Sequence, residues 1–461
     1  MVSPLFATIV CVLFISYLFQ ADRKRVTEGV SPATWVPFAW MFLAGSRAVS
    51  QWLNPSATLG SAEAFLDGSP LDRVVFLALI VLAILVLLRR NLEWKRIFRS
   101  NPWVLLFFLY GLLSVLWSDY PQVSFKRWIK ALGNPLMAIV ILTERRPLEA
   151  LGLILRRLSF VLLPLSILFI KFYPHLGRAY HIGRPLLTGV AMGKNGLGQI
   201  CLIVGMYYCW DLLFGRNSAV DSKRPPRLPI YYYVLILTMI VWLLRMADSA
   251  TSTLTLIVAV AVMVVGRVPA VSAKPGRIIR IGLSIALVVT VLEITVHLSE
   301  AVIEILGRDP TLTTRVPMWQ GLLDMAENPA VGVGYESFWL GNRLTILLEL
   351  YGVRQAHNGY LETYLNLGLV GLLLCVGQIA SGLFPGKRQL IADYRFALLR
   401  LTFVVAVAAY NWTEATFYGV SNMWLLLFVG ILDVRKRPLP VDLAESDSSA
   451  GHQQVSGAFP V

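Results

Sequence analysis

The chain has 461 residues, of which 56% are hydrophobic and only 15% are charged, and its mean hydropathy is +0.65. This composition excludes an ordinary soluble protein, because the apolar residues gather in runs of about 17–25, the length that spans a membrane as a helix. The formal net charge of +14 would indicate nucleic-acid binding in a soluble protein. Here we attribute it to basic residues at the cytoplasmic helix ends, so no nucleic-acid partner is expected.

The apolar runs predict an all-α fold, a polytopic transmembrane bundle of about 12–13 spans. We place the spans at 3–20, 34–50, 73–88, 102–118, 128–143, 158–173, 196–214, 230–245, 252–266, 281–298, 362–384, 396–411 and 420–433. The first, the fifth and the last two runs are the weakest, so twelve spans is the alternative to thirteen. Residues 1–20 have no basic region before them, and we interpret them as a span rather than a cleaved signal peptide.

The basic residues predict the orientation of the bundle. With the N-terminus outside, 27 of the 41 Lys and Arg residues fall in cytoplasmic segments and 14 on the other side, and such an asymmetry sets membrane orientation. This divides the chain into N-terminal helices with short loops (1–299), a large outer loop (300–361), C-terminal helices (362–434) and a polar tail (435–461). We expect the tail to be cytoplasmic and disordered.

The outer loop is too long to be a simple hairpin between spans, and long structured loops tend to carry function. Pro317 suits the first turn of a helix that carries Trp319, and Arg315 lies one turn before that tryptophan. The residues from Asn328 to Gly334 predict turns that follow the helix.

Several cations lie on the outer face, against the positive-inside trend. Arginine is costly near hydrocarbon unless it faces a partner or water, and its planar fork binds phosphate oxygens with two hydrogen bonds. Taken singly, each cation is explained as well by lipid headgroups or by salt bridges with carboxylates of the loop. Taken together they indicate an anion-binding site, whose candidate members are Arg178, Arg184, Lys194, Arg308 and Arg315.

His357 is the candidate for proton chemistry. It lies where the outer loop re-enters the membrane, and a neutral histidine can accept the proton of an attacking hydroxyl. A lone histidine is more often structural, but the position beside Asn358 favours function. A carboxylate could orient His357 or pair with an arginine, and the sequence does not choose among Glu336, Glu362 and Glu414.

The segment 245–255 has two interpretations. It is either a polar helix cap, with Asp248 or Ser249 as the capping residue, or a polar wall of the site, since hydroxyl groups suit sugar and phosphate oxygens.

The remaining histidines and the cysteines predict neither a metal site nor a disulfide, and no cofactor is expected. The cysteines fall inside apolar runs, which is typical of buried core residues, and the histidines lack metal-ligand spacing. These residues are Cys11, Cys201, Cys209, Cys375, His175, His181 and His297.

The chain also lacks a Walker motif, a dinucleotide loop and a GxSxG elbow. An outer-face reaction would therefore need a donor that arrives activated, such as a lipid-linked diphosphate sugar.

In the outer loop and its surroundings, the chain resembles the O-antigen ligase and polysaccharide polymerase family of bacterial membrane glycosyltransferases. It is most similar to the exopolysaccharide polymerase branch. The resemblance covers roughly residues 170–385. The motifs that carry it are GRDPTLTTRVPMW at 307–319, NPAVGVGYESF at 328–338, AHNGYLETYLNLGLVG at 356–371 and GVAMGKNGLG at 189–198.

The resemblance implies a GT-C-like enzyme of the bacterial inner membrane that works on the periplasmic face without metal or nucleotide. It implies an undecaprenyl-diphosphate-linked glycan as donor, anchored in the lipid bilayer, and a second glycan as acceptor, joined with inversion. Chain-length regulator and export proteins are candidate partners.

The resemblance also implies roles for individual residues. His357 activates the acceptor hydroxyl, and Arg315 is the loop arginine. A second arginine binds the diphosphate, with Arg184 as first and Arg178 as second choice, assisted by Lys194 and Arg308. The supporting residues are Asn358, Glu336, Trp319 and Glu362.

Two other functions stay open. The protein could be a ligase that moves a finished glycan onto lipid A core, or a transporter or flippase of lipid-linked sugar. Transporters place their sites near the midplane on broken helices, often within inverted repeats. This chain concentrates its polar residues outside and shows no repeat, which favours an enzyme.

Overall fold

The structure is a computed structural model, and it describes residues 3–23, 29–54, 69–181, 184–215, 229–272, 311–383 and 393–434. Within these ranges the protein is helical apart from one short hairpin. The predicted tail at 435–461 and the predicted span at 281–298 lie outside the described residues.

The described α-helices follow one another in this order: α1 (Pro4–Arg23), α2 (Trp35–Gly45), α3 (Val49–Leu53), α4 (Pro70–Leu88), α5 (Trp94–Ser100), α6 (Pro102–Leu113), α7 (Pro121–Ala131), α8 (Gly133–Leu142), α9 (Pro147–Phe172), α10 (Pro174–Gly177), α11 (Lys194–Phe214), α12 (Ile230–Ala247), α13 (Ala250–Arg267), α14 (Pro269–Ser272), α15 (Thr311–Asp324), α16 (Gly341–Tyr351), α17 (Gly359–Leu383), α18 (Tyr394–Tyr410) and α19 (Asn422–Ile431). Two 3₁₀ helices lie at Pro32–Thr34 and Ser114–Trp117. Strands β1 (Arg178–His181) and β2 (Arg184–Leu187) form an antiparallel hairpin in which Arg178 pairs with Leu187.

Seven of these helices are long and apolar enough to cross a membrane, and an eighth span results if the bent pair 94–100 and 102–117 counts as one. The prediction of an all-α, polytopic membrane protein is therefore confirmed. A described helix lies at every predicted span except 281–298, and the total of 12–13 spans stays a prediction.

Some observed helices are shorter or longer than the spans predicted from the sequence. Helix α19 has 10 residues, too few to cross the hydrocarbon region alone. All of its residues are buried, and it packs against α18, α8 and α17, so protein surrounds it rather than lipid. Helix α9 begins at Pro147, well before the predicted start at 158. Its Arg156 is held inside the bundle by Asp22 (Nε to Oδ1, 2.8 Å) and by the Tyr207 hydroxyl (2.9 Å).

The prediction for Pro317 is wrong. Helix α15 begins at Thr311, which places Pro317 inside the helix rather than in its first turn. A proline inside a helix removes one backbone hydrogen bond and is tolerated at a cost. The turns predicted at 328–334 are present.

Helix α17 is broken at Gly368, where φ is +62°. A broken membrane helix frees backbone groups that must find new partners. The turn at 328–334 supplies them, through Gly334 N–H to Asn366 O (2.9 Å), Leu369 N–H to Pro329 O (2.8 Å) and Val370 N–H to Ala330 O (3.2 Å). The NP-x-x-G-x-G motif therefore docks the outer loop onto the break.

Residues 411–421 join α18 to α19, and we call them the α18–α19 connection. They meet the beginning of α17 at its first residue, where Gly359 N–H donates to the carbonyl oxygens of Asn411 (2.8 Å) and Glu414 (2.9 Å).

We expect Gly368→Ala to destabilise the protein strongly. A Cβ at this position would lie 2.3 Å from the backbone carbonyl of Ala330, in addition to the cost of a positive φ. Gly352→Ala is the matched control, since Gly352 has φ +65° but nothing within 4 Å of its added Cβ, so it carries only the backbone cost of about 1–2 kcal/mol. Thermal unfolding of both variants in detergent should give Gly368→Ala a free energy of unfolding that is ~1–3 kcal/mol lower than that of Gly352→Ala. Equal melting temperatures would contradict the docking of the turn.

Candidate active site

Three helices begin beside the α18–α19 connection. Asn195, at the start of α11, donates its Nδ2–H to Glu414 Oε1 (2.6 Å). Thr251, at the start of α13, shares a hydrogen bond with the Thr413 hydroxyl (2.7 Å). Gly359, the first residue of α17, contacts the Glu414 carbonyl. Because a helix N-terminus carries partial positive charge, this end of the bundle is suited to an anion.

The carboxylate of Glu414 lies where Arg315 and His357 meet. Arg315 Nη2 is 3.8 Å from Glu414 Oε1, and His357 Nδ1 is 3.5 Å from Oε2. Arg315 Nη1 also donates to the Thr413 carbonyl (2.7 Å). The Glu414 side chain is only 7% exposed, against 22% for Arg315 and 26% for His357. The guanidinium and the imidazole therefore reach solvent while the carboxylate lies beneath them.

The backbone that carries His357 is clamped by the residue before it. Ala356 donates its N–H to Glu362 Oε2 (3.0 Å), and its carbonyl accepts from Trp319 Nε1 (2.8 Å). His357 itself has φ +50°, a left-handed conformation that costs roughly 1–3 kcal/mol and persists only where the surroundings hold it. Trp319 and Glu362 thus support the histidine through the backbone rather than by touching its ring.

Asn358 and Glu336 also have defined partners. The Asn358 side-chain oxygen accepts the N–H of Tyr360 (3.0 Å), which caps the start of α17. Glu336 accepts the Gly419 N–H at Oε1 (2.7 Å), and its backbone carbonyl accepts from Arg127 Nη1 (2.7 Å). Glu336 therefore ties the outer loop to the α18–α19 connection, a structural role.

An amide and a phenol lie on the other side of the imidazole. Gln355 Nε2 is 3.3 Å from His357 Nδ1, and Gln355 Oε1 accepts from the Tyr418 hydroxyl (2.7 Å). Burial first, and then the nearby Glu362 and Glu336 carboxylates, raise the pKa of Tyr418. The phenol therefore stays protonated and donates to the amide.

The predicted anion ligands have different surroundings. Lys194 is half-buried at the start of α11, with Nζ 3.5 Å from the Asp248 carbonyl. Arg178 donates from Nε (3.2 Å) and Nη2 (2.9 Å) to the Ile170 carbonyl, which caps the end of α9. Among the candidates, then, Arg315 and Lys194 border the site and Arg178 serves a helix end. Arg308, His297 and the side chains of Arg184 and His181 lie outside the described part of the chain.

For segment 245–255 the helix-cap interpretation is confirmed, and the polar-wall interpretation stays a prediction. Ser249 caps α13, since its hydroxyl accepts the Ser252 N–H (3.4 Å). Thr251 instead points its hydroxyl at Thr413, beside Arg315. The four cysteines are free, and three of them are buried.

Comparison with known proteins identifies one family and one relative to which the chain is similar. The family model described as O-antigen ligase matches residues 233–376. The exopolysaccharide production protein ExoQ of Rhizobium meliloti (strain 1021) is 25% identical over 363 residues, covering 74% of this chain and 79% of the relative.

In these stretches the chain is similar to the O-antigen ligase family and to an exopolysaccharide production protein. It is a multi-pass membrane enzyme of the glycosyltransferase type.

The match to the O-antigen ligase family contains Arg315 and His357 but begins after Asn195 and ends before Glu414. Sequence reasoning missed Asn195, and it named Glu414 only as one of three carboxylates. One signal was available for Glu414, because it is the only acidic residue of a short connection between two apolar runs.

We expect Gly359→Ala to disturb the candidate site without breaking a helix. The added Cβ would lie 2.2 Å from Asn411 Oδ1, an atom that is buried and accepts the Thr416 N–H (2.8 Å). Displacing the connection that carries Glu414 should lower glycan transfer about 10–100-fold. Gly193→Ala is the matched control at another helix start, since nothing lies within 4 Å of its added Cβ. Transfer rates at equal amounts of folded protein measure the effect, and equal rates for both variants would contradict it.

Proposed function

We propose that the protein is a glycosyltransferase at the periplasmic face of the bacterial inner membrane. It polymerises undecaprenyl-diphosphate-linked oligosaccharide repeat units into an exopolysaccharide or O-antigen. One observation carries this proposal: Arg315 and His357, from separate elements, meet over one buried carboxylate beside three helix N-termini. The name of the relative, an exopolysaccharide production protein, supports the polymerase form.

The proposed reaction needs one base and no cofactor. The hydroxyl oxygen of the acceptor sugar attacks C1 of the donor sugar, and the bond from C1 to the diphosphate oxygen breaks. The lipid diphosphate leaves with that electron pair, and His357 takes the proton of the hydroxyl. A positioned general base of this kind contributes about 10²–10⁴-fold to the rate.

The leaving diphosphate gains negative charge as the bond breaks, so groups that stabilise it accelerate the reaction. Arg315 uses one guanidinium nitrogen on Thr413, and a guanidinium has five N–H donors, so donors remain for phosphate oxygens. Lys194 and the N-terminus of α11 add positive charge beside it. In this proposal Arg184 and Arg308 complete the set.

The membrane orientation supports a periplasmic reaction. The starts of α11, α13 and α17 meet at one end of the bundle. The positive-inside distribution assigns this end to the outside. A lipid-linked donor could place its diphosphate there while its hydrocarbon chain stays in the bilayer.

Two alternative functions, a ligase and a transporter, have different support in the comparisons and the structure. The description of the matched family, O-antigen ligase, favours transfer of a finished glycan to lipid A core as the second candidate. A transporter of lipid-linked sugar would use a broken helix whose ends face the substrate. The break at Gly368 is instead occupied by the 328–334 turn, which argues against transport.

We expect the purified protein to elongate an undecaprenyl-diphosphate oligosaccharide without other enzymes, and His357→Ala to lose at least about 10²-fold of that activity. His175→Ala is the control, since His175 is exposed on the same outer face. Product length is measured on gels and by mass spectrometry. Long repeats identify a polymerase, and a single transfer to lipid A core identifies a ligase.

The same assay can contradict each part separately. A wild-type protein that transfers no sugar in either reaction would remove the proposed function. Full activity of His357→Ala would remove the assignment of the base and leave the enzyme class standing.

We expect Arg315→Lys to fail as well. An ammonium cannot hold the Thr413 carbonyl and grip a phosphate with a planar fork at once. Losing one charge-assisted hydrogen bond costs about 1.5–3 kcal/mol, so kcat/KM for the donor should fall roughly 10–100-fold. Arg343→Lys, in which another outer arginine that pairs with carboxylates is changed, controls for general damage. Unchanged donor kinetics in Arg315→Lys would show that Arg315 acts only as a point charge.

A further inference from the structure

We propose that Glu414 is a positioning residue that orients His357 and decides which ring nitrogen takes the proton of the acceptor. The inference rests on the proposed function, because it concerns the same base. It adds a residue that the family match, which ends at residue 376, does not contain.

The surroundings of Nδ1 carry the argument. Nδ1 of His357 lies 3.3 Å from the amide nitrogen of Gln355 and 3.5 Å from Oε2 of Glu414. An amide nitrogen only donates a hydrogen bond, and a carboxylate only accepts one. Gln355 therefore pairs with a bare Nδ1, and Glu414 pairs with a protonated Nδ1.

Only the second pairing makes a useful base. When Nδ1 carries the proton and donates it to Glu414, the lone pair of Nε2 is free to accept the proton of the acceptor hydroxyl. The ring then becomes a cation, and a carboxylate next to it stabilises that cation. The neutral amide of Gln355 cannot do this. In this scheme Gln355 holds the resting ring and Glu414 holds the reacting ring.

Glu414 is itself held firmly enough to act in this way. Its Oε1 accepts from Asn195 (2.6 Å) and faces Arg315 (3.8 Å), which leaves Oε2 for His357. The turn that carries it is braced by Asn411 Oδ1, which accepts both the N–H (2.8 Å) and the hydroxyl (3.0 Å) of Thr416. The two carboxylate oxygens thus have separate tasks.

Other ionisable groups surround the histidine from several elements. They are Arg315 on α15, Lys194 on α11, Glu362 on α17, Glu336 in the outer loop, Arg127 on α7 and Tyr418 in the α18–α19 connection. Among the described residues, Glu414 is the carboxylate whose oxygen lies within 4 Å of the imidazole nitrogens. Removing the charge of Glu414 should therefore affect the His357 imidazole more than removing any of these other charges.

The test is Glu414→Gln, which keeps the shape of the side chain and an oxygen for Asn195 but removes the charge. We expect kcat for sugar transfer to fall at least about tenfold, with a smaller change in KM for the donor. Glu349→Gln, on the exposed face of α16, is the matched control and should keep the wild-type kcat and KM.

A second pair of variants separates positioning from simple structural support. Adding Glu414→Gln to His357→Ala should have little further effect on the residual rate, since residues that act as a unit are not additive. Glu414→Asp keeps the charge and should recover part of kcat. It also provides the readout if Glu414→Gln yields no folded protein.

Two results would overturn the inference. One is a Glu414→Gln enzyme with wild-type kcat. The other is an equal loss of rate from Glu414→Gln in the wild-type and His357→Ala backgrounds, which would indicate a structural role. Failure of the wild-type protein to transfer sugar would instead count against the proposed function.

Discussion

The site depends on one buried negative charge. The carboxylate of Glu414 is almost fully covered by protein, and a buried ion costs several kcal/mol unless it is paired and hydrogen-bonded. The fold meets this requirement with Asn195 from α11, Arg315 from α15 and His357 ahead of α17. Because these partners pair with the two carboxylate oxygens of Glu414, they bring together segments that are far apart in the chain. The same contacts aim a guanidinium and an imidazole toward the solvent.

The outer loop depends on a second constraint, the broken helix α17. The break at Gly368 exposes backbone groups, and the 328–334 turn fills it with its own N–H and carbonyl groups. The segment after the turn continues into the bundle, where Tyr335 N–H donates to Ser114 Oγ (3.0 Å) and Phe338 N–H to Asn366 Oδ1 (3.0 Å). The second half of the loop is thus a packed part of the bundle rather than a mobile cover. This packing gives the backbone of His357 a rigid support.

These two constraints explain why a cation-rich outer face is compatible with a stable fold. Arg315 and Arg127 each bind a backbone carbonyl, of Thr413 and Glu336, so neither depends on a substrate for a partner. Arg178 is satisfied by the end of α9 in the same way. These three arginines therefore have partners before any ligand binds, and in the proposed diphosphate site the donors of Arg315 that are not used on Thr413 remain for phosphate.

The sequence by itself determined the all-α membrane class and where most of the described helices lie, and it predicted Arg315, Trp319 and His357 as site residues. It could do so because apolar runs of membrane length and polar motifs between them are local signals. It could not determine that α15 begins before Pro317, that the NP-x-x-G-x-G turn fills a break in α17, or that Glu414 rather than Glu336 or Glu362 faces the imidazole. Those outcomes depend on hydrogen bonds between residues separated by tens to hundreds of positions. Only the tertiary structure decides which of several similar carboxylates finds the histidine.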